Sequence, residues 1–277
     1  MIHWNIDPEL LSLGPIHIKW YGLMFLAGFS LGFRFFTQVC LREGFSTDKL
    51  DSGLIKVVLG TIIGARLFHC LFYDPEYYFA NPARILAVWE GGLASHGGGL
   101  GVLVALWLFT RQNPEFKLLW IFDRMAIPTV MTGGFIRIGN LMNSEILGLP
   151  TNASWGVVFE RIDKIPRHPA MVYESICYFI IFAMTYWMYW NWDRIQKPVE
   201  TTAKKKKKEL MLPPEGFLFG TVIALIFLAR FFIEYFKENQ EAFKLGMSVN
   251  MGQLLSVPFI LVGLYFVIRS FRLKPAT

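Results

Sequence analysis

A handful of ionisable side chains sit where this chain is otherwise apolar, and their types suit the handling of an anion. Arg66, His96, Arg137, Arg230 and Glu234 all fall within or at the edge of long apolar runs, as do Arg34, Asp123 and Arg124. A charge in hydrocarbon is costly unless it snorkels, pairs or faces a wet cavity, so each of these needs a reason. Arginine presents a planar fork of donors that matches phosphate oxygens. A neutral imidazole accepts a proton near neutral pH. Arg230 and Glu234 stand one helical turn apart with Lys237 on the same face, an arrangement that serves a simple ion pair or a guanidinium aimed at a phosphate. His96 lies in GGLASHGGGLG (91–101), where missing side chains would let a bulky ligand approach the backbone. Its alternative reading is a hydrogen-bonded packing histidine.

The elements that position these groups follow from composition. Of 277 residues, 54% are hydrophobic, 16% aromatic and only 17% charged, against about a quarter charged in soluble domains. This is a polytopic membrane protein rather than a soluble one, and no cleavable leader is visible in MIHWNIDPEL. The net charge of +6 does not point to nucleic acid, because one run, Lys204 to Lys208, sits in a polar connection suited to anionic lipid. Cys40, Cys70 and Cys177 are scattered without CxxC spacing, and the histidines lack HxxH or HExxH. Neither a metal nor a cofactor is expected.

Seven stretches are long and apolar enough to span a bilayer, at about 20–38, 57–73, 93–110, 118–138, 170–190, 216–236 and 252–268. The predicted fold class is therefore an all-α membrane protein, a single domain over 1–277. Lysines and arginines are denser in the connections after the first, third, fifth and seventh spans than in the others. This puts the N-terminus outside and the C-terminus in the cytoplasm. The longest outer loop, 139–169, rich in turn signals, is read as a small extracytoplasmic cap, and 191–215 as a basic cytoplasmic linker. Glycine pairs Gly28/Gly32, Gly60/Gly64 and Gly97/Gly101 predict close helix contacts. With this topology Tyr21, Arg66, His96, Arg137, Arg230 and Glu234 all fall in the outer leaflet, which predicts a shared cavity for an anionic ligand. Arg34, Asp123 and Arg124 fall toward the inner side and are read as anchoring or structural.

Several motifs then occur together and in order. They are Trp20-Tyr21-Gly22-Leu23-Met24, GGLASHGGGLG (91–101), GGFIRIGNLMNSEILG (133–148), RHPAMVYE (167–174), FLARFFIEYFK (227–237) and NMGQLLSVP (250–258). Together they resemble the prolipoprotein diacylglyceryl transferases of the bacterial inner membrane, across nearly the whole chain. The resemblance implies transfer of a diacylglyceryl group from phosphatidylglycerol to the lipobox cysteine thiol in a prolipoprotein signal peptide. A thioether forms and glycerol phosphate leaves. It implies an active site toward the outer leaflet, with His96, Arg137 and Arg230 catalytic and with Tyr21, Asn140, Glu145 and Glu234 binding or orienting substrate. Arg66 joins the substrate-binding set by its depth in the membrane. The competing reading is a transporter of an anionic lipid, which would use the same arginines but needs a route across the bilayer. An intramembrane protease is weaker, because neither GxSxG nor HExxH is present.

Overall fold

A computed structural model describes residues 1–14, 16–195, 211–238 and 250–272. In chain order its helices are α1 (Trp20–Arg42), α2 (Leu50–Phe72), α3 (Pro75–Ala80), α4 (Ser95–Gln112), α5 (Leu118–Asn143), α6 (Ala170–Trp190), α7 (Trp192–Ile195), α8 (Phe217–Ile233) and α9 (Met251–Arg272). The long ones fall on the seven apolar stretches. Five of them, α1, α2, α6, α9 and α8 with the single turn that carries it to Phe236, are long and apolar enough to cross a membrane. The other two, α4 and α5, are less apolar for a visible reason. α4 opens on His96 and a glycine run, and α5 carries Asp123, Arg124, Arg137 and Asn140. Residues 196–210 of the expected 191–215 linker lie outside the described residues, and so do Lys197, Lys204 to Lys208, Lys244 and Lys274.

The chain divides into two compact units, Met1–Phe36 with Phe122–Thr277, and Thr37–Ile121. In the second unit, α2 and α4 meet backbone to backbone. A methyl group on Gly60 would lie 2.6 Å from the Gly101 carbonyl oxygen and 2.9 Å from Ala105 Cβ, and Gly64 and Gly97 are equally tight against one another. The two predicted glycine pairs are thus the two halves of one contact, where van der Waals packing and not hydrophobicity drives helices together. At the other end of this unit Phe45 stacks with Phe116 at 4.9 Å and meets Trp120 at a tilt, 4.5 Å between centroids. The Trp120 indole donates to Glu43 at 2.7 Å, and Lys49 pairs with Glu115 at 2.7 Å.

The first unit repeats the device with other partners. Gly28 on α1 faces Thr132 of α5, with an added Cβ 2.7 Å from its methyl, and Gly32 faces Pro128. Gly220 of α8 and Gly263 of α9 leave no room for side chains between them, and Phe227 stacks on Phe259 at 4.3 Å along the same seam. A core of Ala126, Val130, Tyr178, Ile181 and Val222 joins α5, α6 and α8. Asp123 and Arg124 form a buried ion pair. Asp123 also accepts the Phe219 amide at 2.9 Å, so it caps the start of α8, where Gly216 adopts a left-handed φ of 93°. Arg124 reaches the Pro213 carbonyl and sits over the Tyr189 ring. Both charges are consumed by structure, as a buried pair must be to offset desolvation.

Strands are few. β1 (Ile2–Trp4) is followed by a hairpin of β2 (Glu9–Leu13) and β3 (Ile16–Lys19), with a bulge between Glu9 and Leu11. β4 (Val157–Phe159) and β5 (Pro166–Arg167) lie in the predicted cap, and β1 pairs in parallel with β4. Val157, Phe159 and Met171 form a small core with Trp4, Leu141 and Leu147. The Trp4 indole also donates to the Leu141 carbonyl at 3.0 Å. The 139–169 segment is therefore completed by the first residues of the chain, which no short-range sequence signal announces.

Candidate active site

Two glycines set the geometry. Gly133 and Gly134 on α5 carry no side chain, so the rings of Tyr178 and Phe179 on α6 seat directly on the backbone, and Ser175 donates to the Gly134 carbonyl at 3.0 Å. One turn further along α5 stands Arg137, and one turn back along the antiparallel α6 stands Glu174. They meet as an ion pair, Arg137 Nε to Glu174 Oε2 at 2.7 Å. Glu174 is 1% exposed, and its other oxygen takes the Lys237 ammonium at 2.7 Å. One buried carboxylate thus aims two cations.

The chain of contacts continues on both sides. Arg137 Nη1 donates to Asn140 Oδ1 at 3.0 Å, and Asn140 Nδ2 donates to Glu145 Oε2 at 3.0 Å. Asn143 donates to the second Glu145 oxygen at 3.1 Å. Glu145 itself lies between Ser144 and Ile146, whose φ values of 56° and 58° are left-handed and unfavourable for side chains other than glycine. Such strained positions gather at functional sites, where surrounding contacts hold them. The Tyr21 ring packs on Gly139, and its hydroxyl interacts with the Asn140 side chain in the field of Glu145 and Arg137. At the far end Lys237 approaches Glu234 at 3.9 Å.

Beside this relay lies a cavity of about 220 Å³. Its wall includes Arg137, Arg230 and Lys237, with Glu234 and Glu238, and Ile146, Leu147 and Met251 supply apolar surface. Arg230 forms no ion pair among the described residues, so the simple pairing with Glu234 that its spacing allowed is not made. Glu234 instead packs its carboxylate against Gly252 of α9. Lys237 is fixed at both ends, because its backbone bridges to Gly148 while its ammonium reaches Glu174. Gly148 lies between the carbonyls of His168 and Phe236 with no space for a side chain.

Six sequence-predicted residues, Tyr21, Arg137, Asn140, Glu145, Arg230 and Glu234, belong to the first unit. Arg66 and His96 belong to the second. There, His96 is exposed in the first turn of α4, its ring 6.2 Å from that of Phe68. The glycines around it are explained by packing more than by ligand approach. Gly97 and Gly101 abut α2, while Gly91 and Gly92 turn the chain with φ of 91° and 67°. Arg66, expected to bind substrate, is engaged with protein. It is 3% exposed and donates to the carbonyls of Ile85 at 3.0 Å, Gly91 at 2.5 Å and Arg84 at 2.6 Å. A guanidinium so placed organises this loop.

Two functional-looking residues escaped the sequence reading. Glu174 lies within RHPAMVYE and Lys237 on the face of Arg230 and Glu234, and neither is among the predicted site residues. The signal for Glu174 is a lone carboxylate near the start of a 21-residue apolar stretch. Asn140 and Glu145 are also more engaged with protein than expected, since Asn140 spends both ends of its amide on Glu145 and Arg137.

Comparison with known proteins agrees with these motifs. Residues 8–269 match the family described as prolipoprotein diacylglyceryl transferase. A phosphatidylglycerol–prolipoprotein diacylglyceryl transferase of Tolumonas auensis is 50% identical over 274 residues, covering 99% of each chain. Proteins of the same name from Chloroherpeton thalassium and Porphyromonas gingivalis are 42% and 40% identical, each covering 98% of this chain and 95% of the relative.

Proposed function

The chain belongs to the prolipoprotein diacylglyceryl transferase family, and from that premise we propose that it transfers the diacylglyceryl group of phosphatidylglycerol to the lipobox cysteine of prolipoproteins. The observation that carries this reading is the cavity on which Arg137, Arg230 and Lys237 converge, with one buried carboxylate aiming two of them. Three cations on the wall of one cavity suit the phosphate of an anionic lipid. In this reading the cysteine sulfur attacks the glyceryl carbon bonded to the phosphate oxygen. The new C–S bond forms as that C–O bond breaks, and its electron pair stays on the departing glycerol phosphate. Arg137 and Arg230 stabilise that charge in a site of low dielectric, where fixed donors contribute most. The thiol, with an ordinary pKa of about 8.5, is mostly protonated at neutral pH, and His96 takes its proton. Tyr21 positions substrate oxygens, while Asn140, Glu145 and Glu234 hold the cations in place.

The same proposal includes seven spans in the bacterial inner membrane, an outside N-terminus and a cavity facing the outer leaflet. The test supplies the purified protein in vesicles with phosphatidylglycerol and a lipobox peptide. A thioether-linked diacylglyceryl peptide and an equal amount of glycerol phosphate are expected. Lipid that binds yet yields no product refutes the reading.

A further inference from the structure

We propose that Arg66 is a positioning residue for His96, acting by pinning the segment between α2 and α4. The inference rests on the role given to His96 under the proposed function.

The link is traced entirely within the second unit. Arg66 leaves α2 and meets a loop 18 to 26 residues away in sequence, where Nη2 holds the Arg84 carbonyl, Nε that of Ile85, and Nη1 those of Gly91 and Gly92. Its guanidinium also lies 4.9 Å from the centre of the Tyr78 ring on α3. Buried at 3%, it satisfies with these carbonyls a charge that desolvation would otherwise penalise. A lysine in its place has three donors at one point and cannot span carbonyls on separate turns.

The pinned loop leads straight into the helix that carries His96. Ala94 donates its amide to the Ala65 carbonyl, next to Arg66, at 3.0 Å. The start of α4 lacks a side-chain cap, so its entry direction depends on this backbone anchorage. Gly92 has no room for a side chain, since a Cβ would lie 2.7 Å from the His69 ring and 2.8 Å from Arg66 Nη1. His96 follows within four residues of that point. Downstream, Gly97 and Gly101 lock against α2, so the first turn of α4 is held from both directions. Meanwhile the outer face of the loop shows Phe79, Leu86 and Trp89 largely exposed. Arg66 ties carbonyls 84, 85, 91 and 92 to α2.

The test compares wild type, Arg66→Ala, Arg66→Lys and Gly92→Ala, each purified in lipid nanodiscs. It measures kcat and KM for phosphatidylglycerol, together with amide exchange of residues 84–98 by mass spectrometry. Arg66→Ala and Gly92→Ala are expected to lower kcat by about 10²-fold, the cost of an ångström-scale misplacement. KM for the lipid should stay within about twofold, with faster exchange confined to 84–98. Arg66→Lys should recover only part of both. A raised lipid KM with unchanged exchange would overturn the proposal and make Arg66 a direct lipid contact. Equal loss of exchange protection with unaltered kcat would overturn it too, leaving Arg66 a stabiliser of the loop alone. The His96 reading fails separately, if His96→Ala retains turnover while Arg66→Ala still loosens 84–98. Should Arg66→Ala not fold, Gly92→Ala and Arg66→Lys decide the matter by the same two readouts.

Discussion

Glu174 shows how much one buried carboxylate can govern. It is nearly inaccessible, yet its two oxygens face two different cations, Arg137 from α5 and Lys237 from beyond α8. Removing its charge strips two half-buried cations of the counter-charge that aims them, and groups that lose such a partner in a poorly solvated site are strongly penalised. Glu174→Gln is therefore expected to lower turnover by about 10² to 10³-fold, the range seen when a fixed transition-state donor is lost. The assay is product formation with phosphatidylglycerol and peptide. Arg137→Ala should abolish turnover while the protein still inserts into membranes, which fractionation and thermal unfolding in detergent would check. For His96 the informative variable is pH. If His96→Gln kept near-normal rates from about pH 6 to 9, a range that brackets the ordinary imidazole and thiol pKa values, the imidazole would not be the base. Thiolate formation would then rest on the field of the arginines.

At the scale of elements, glycine is the recurring instrument, and it works by absence. Gly60 and Gly64 on α2 mate with Gly97 and Gly101 on α4, while Gly220 mates with Gly263 between α8 and α9. Gly133 and Gly134 let α6 settle close enough to α5 for Glu174 to reach Arg137. Adding even a methyl in such a seam forces the helices apart, with a typical overpacking cost of about 1–3 kcal/mol. Gly101→Ala should lower thermal stability in detergent, since its partner across the seam is backbone and cannot rotate away. Gly99→Ala, on the same helix with open space around it, should leave stability unchanged. Equal melting temperatures for the two variants would refute this account of the α2–α4 contact.

For the molecule as a whole, the small β structure is tied to the helices by charge as well as by packing. Arg167 of β5 pairs with Asp163 at 2.7 Å and with Glu238, just past α8, at 3.0 Å. The Arg167 guanidinium, helped by the Ile165 amide, holds the Asp163 carboxyl below its usual value. A carboxylate depressed in the folded state contributes stability that is complete above its unfolded pKa, about 3.9, and is lost as pH falls through the lower folded value. The protection factor for amide exchange across 157–167, taken relative to the intrinsic exchange rate at each pH, should thus be steady from neutral pH to about 4 and fall only below it. Asp163→Asn should already exchange faster at pH 7, with a flatter pH response. Asp163 keeps 26% of its side chain exposed in a loop, so the change is local and global unfolding should not accompany it.

Several features were legible from the sequence because they rest on short-range chemistry. Apolar length and composition gave the long helices, and RHPAMVYE and GGFIRIGNLMNSEILG marked the stretches that supply the relay. The types and spacing of Arg137, Arg230 and Glu234 pointed to an anion. What the sequence could not reveal depends on which side chain meets which across distant turns. Spacing alone offered Glu234 to Arg230, but packing gave Glu234 to Gly252 and left Arg230 on the cavity wall. Depth in the membrane pointed Arg66 toward a ligand, and only the structure shows it buried beside four carbonyls. No local pattern joins Ile2–Trp4 to Val157–Phe159, because a parallel strand pair links residues far apart in the chain. Residue type decided the chemistry available to this protein. Only the tertiary structure decided which charges were spent on the protein itself and which remained to face a ligand, because desolvation makes each buried charge take the nearest partner that packing permits.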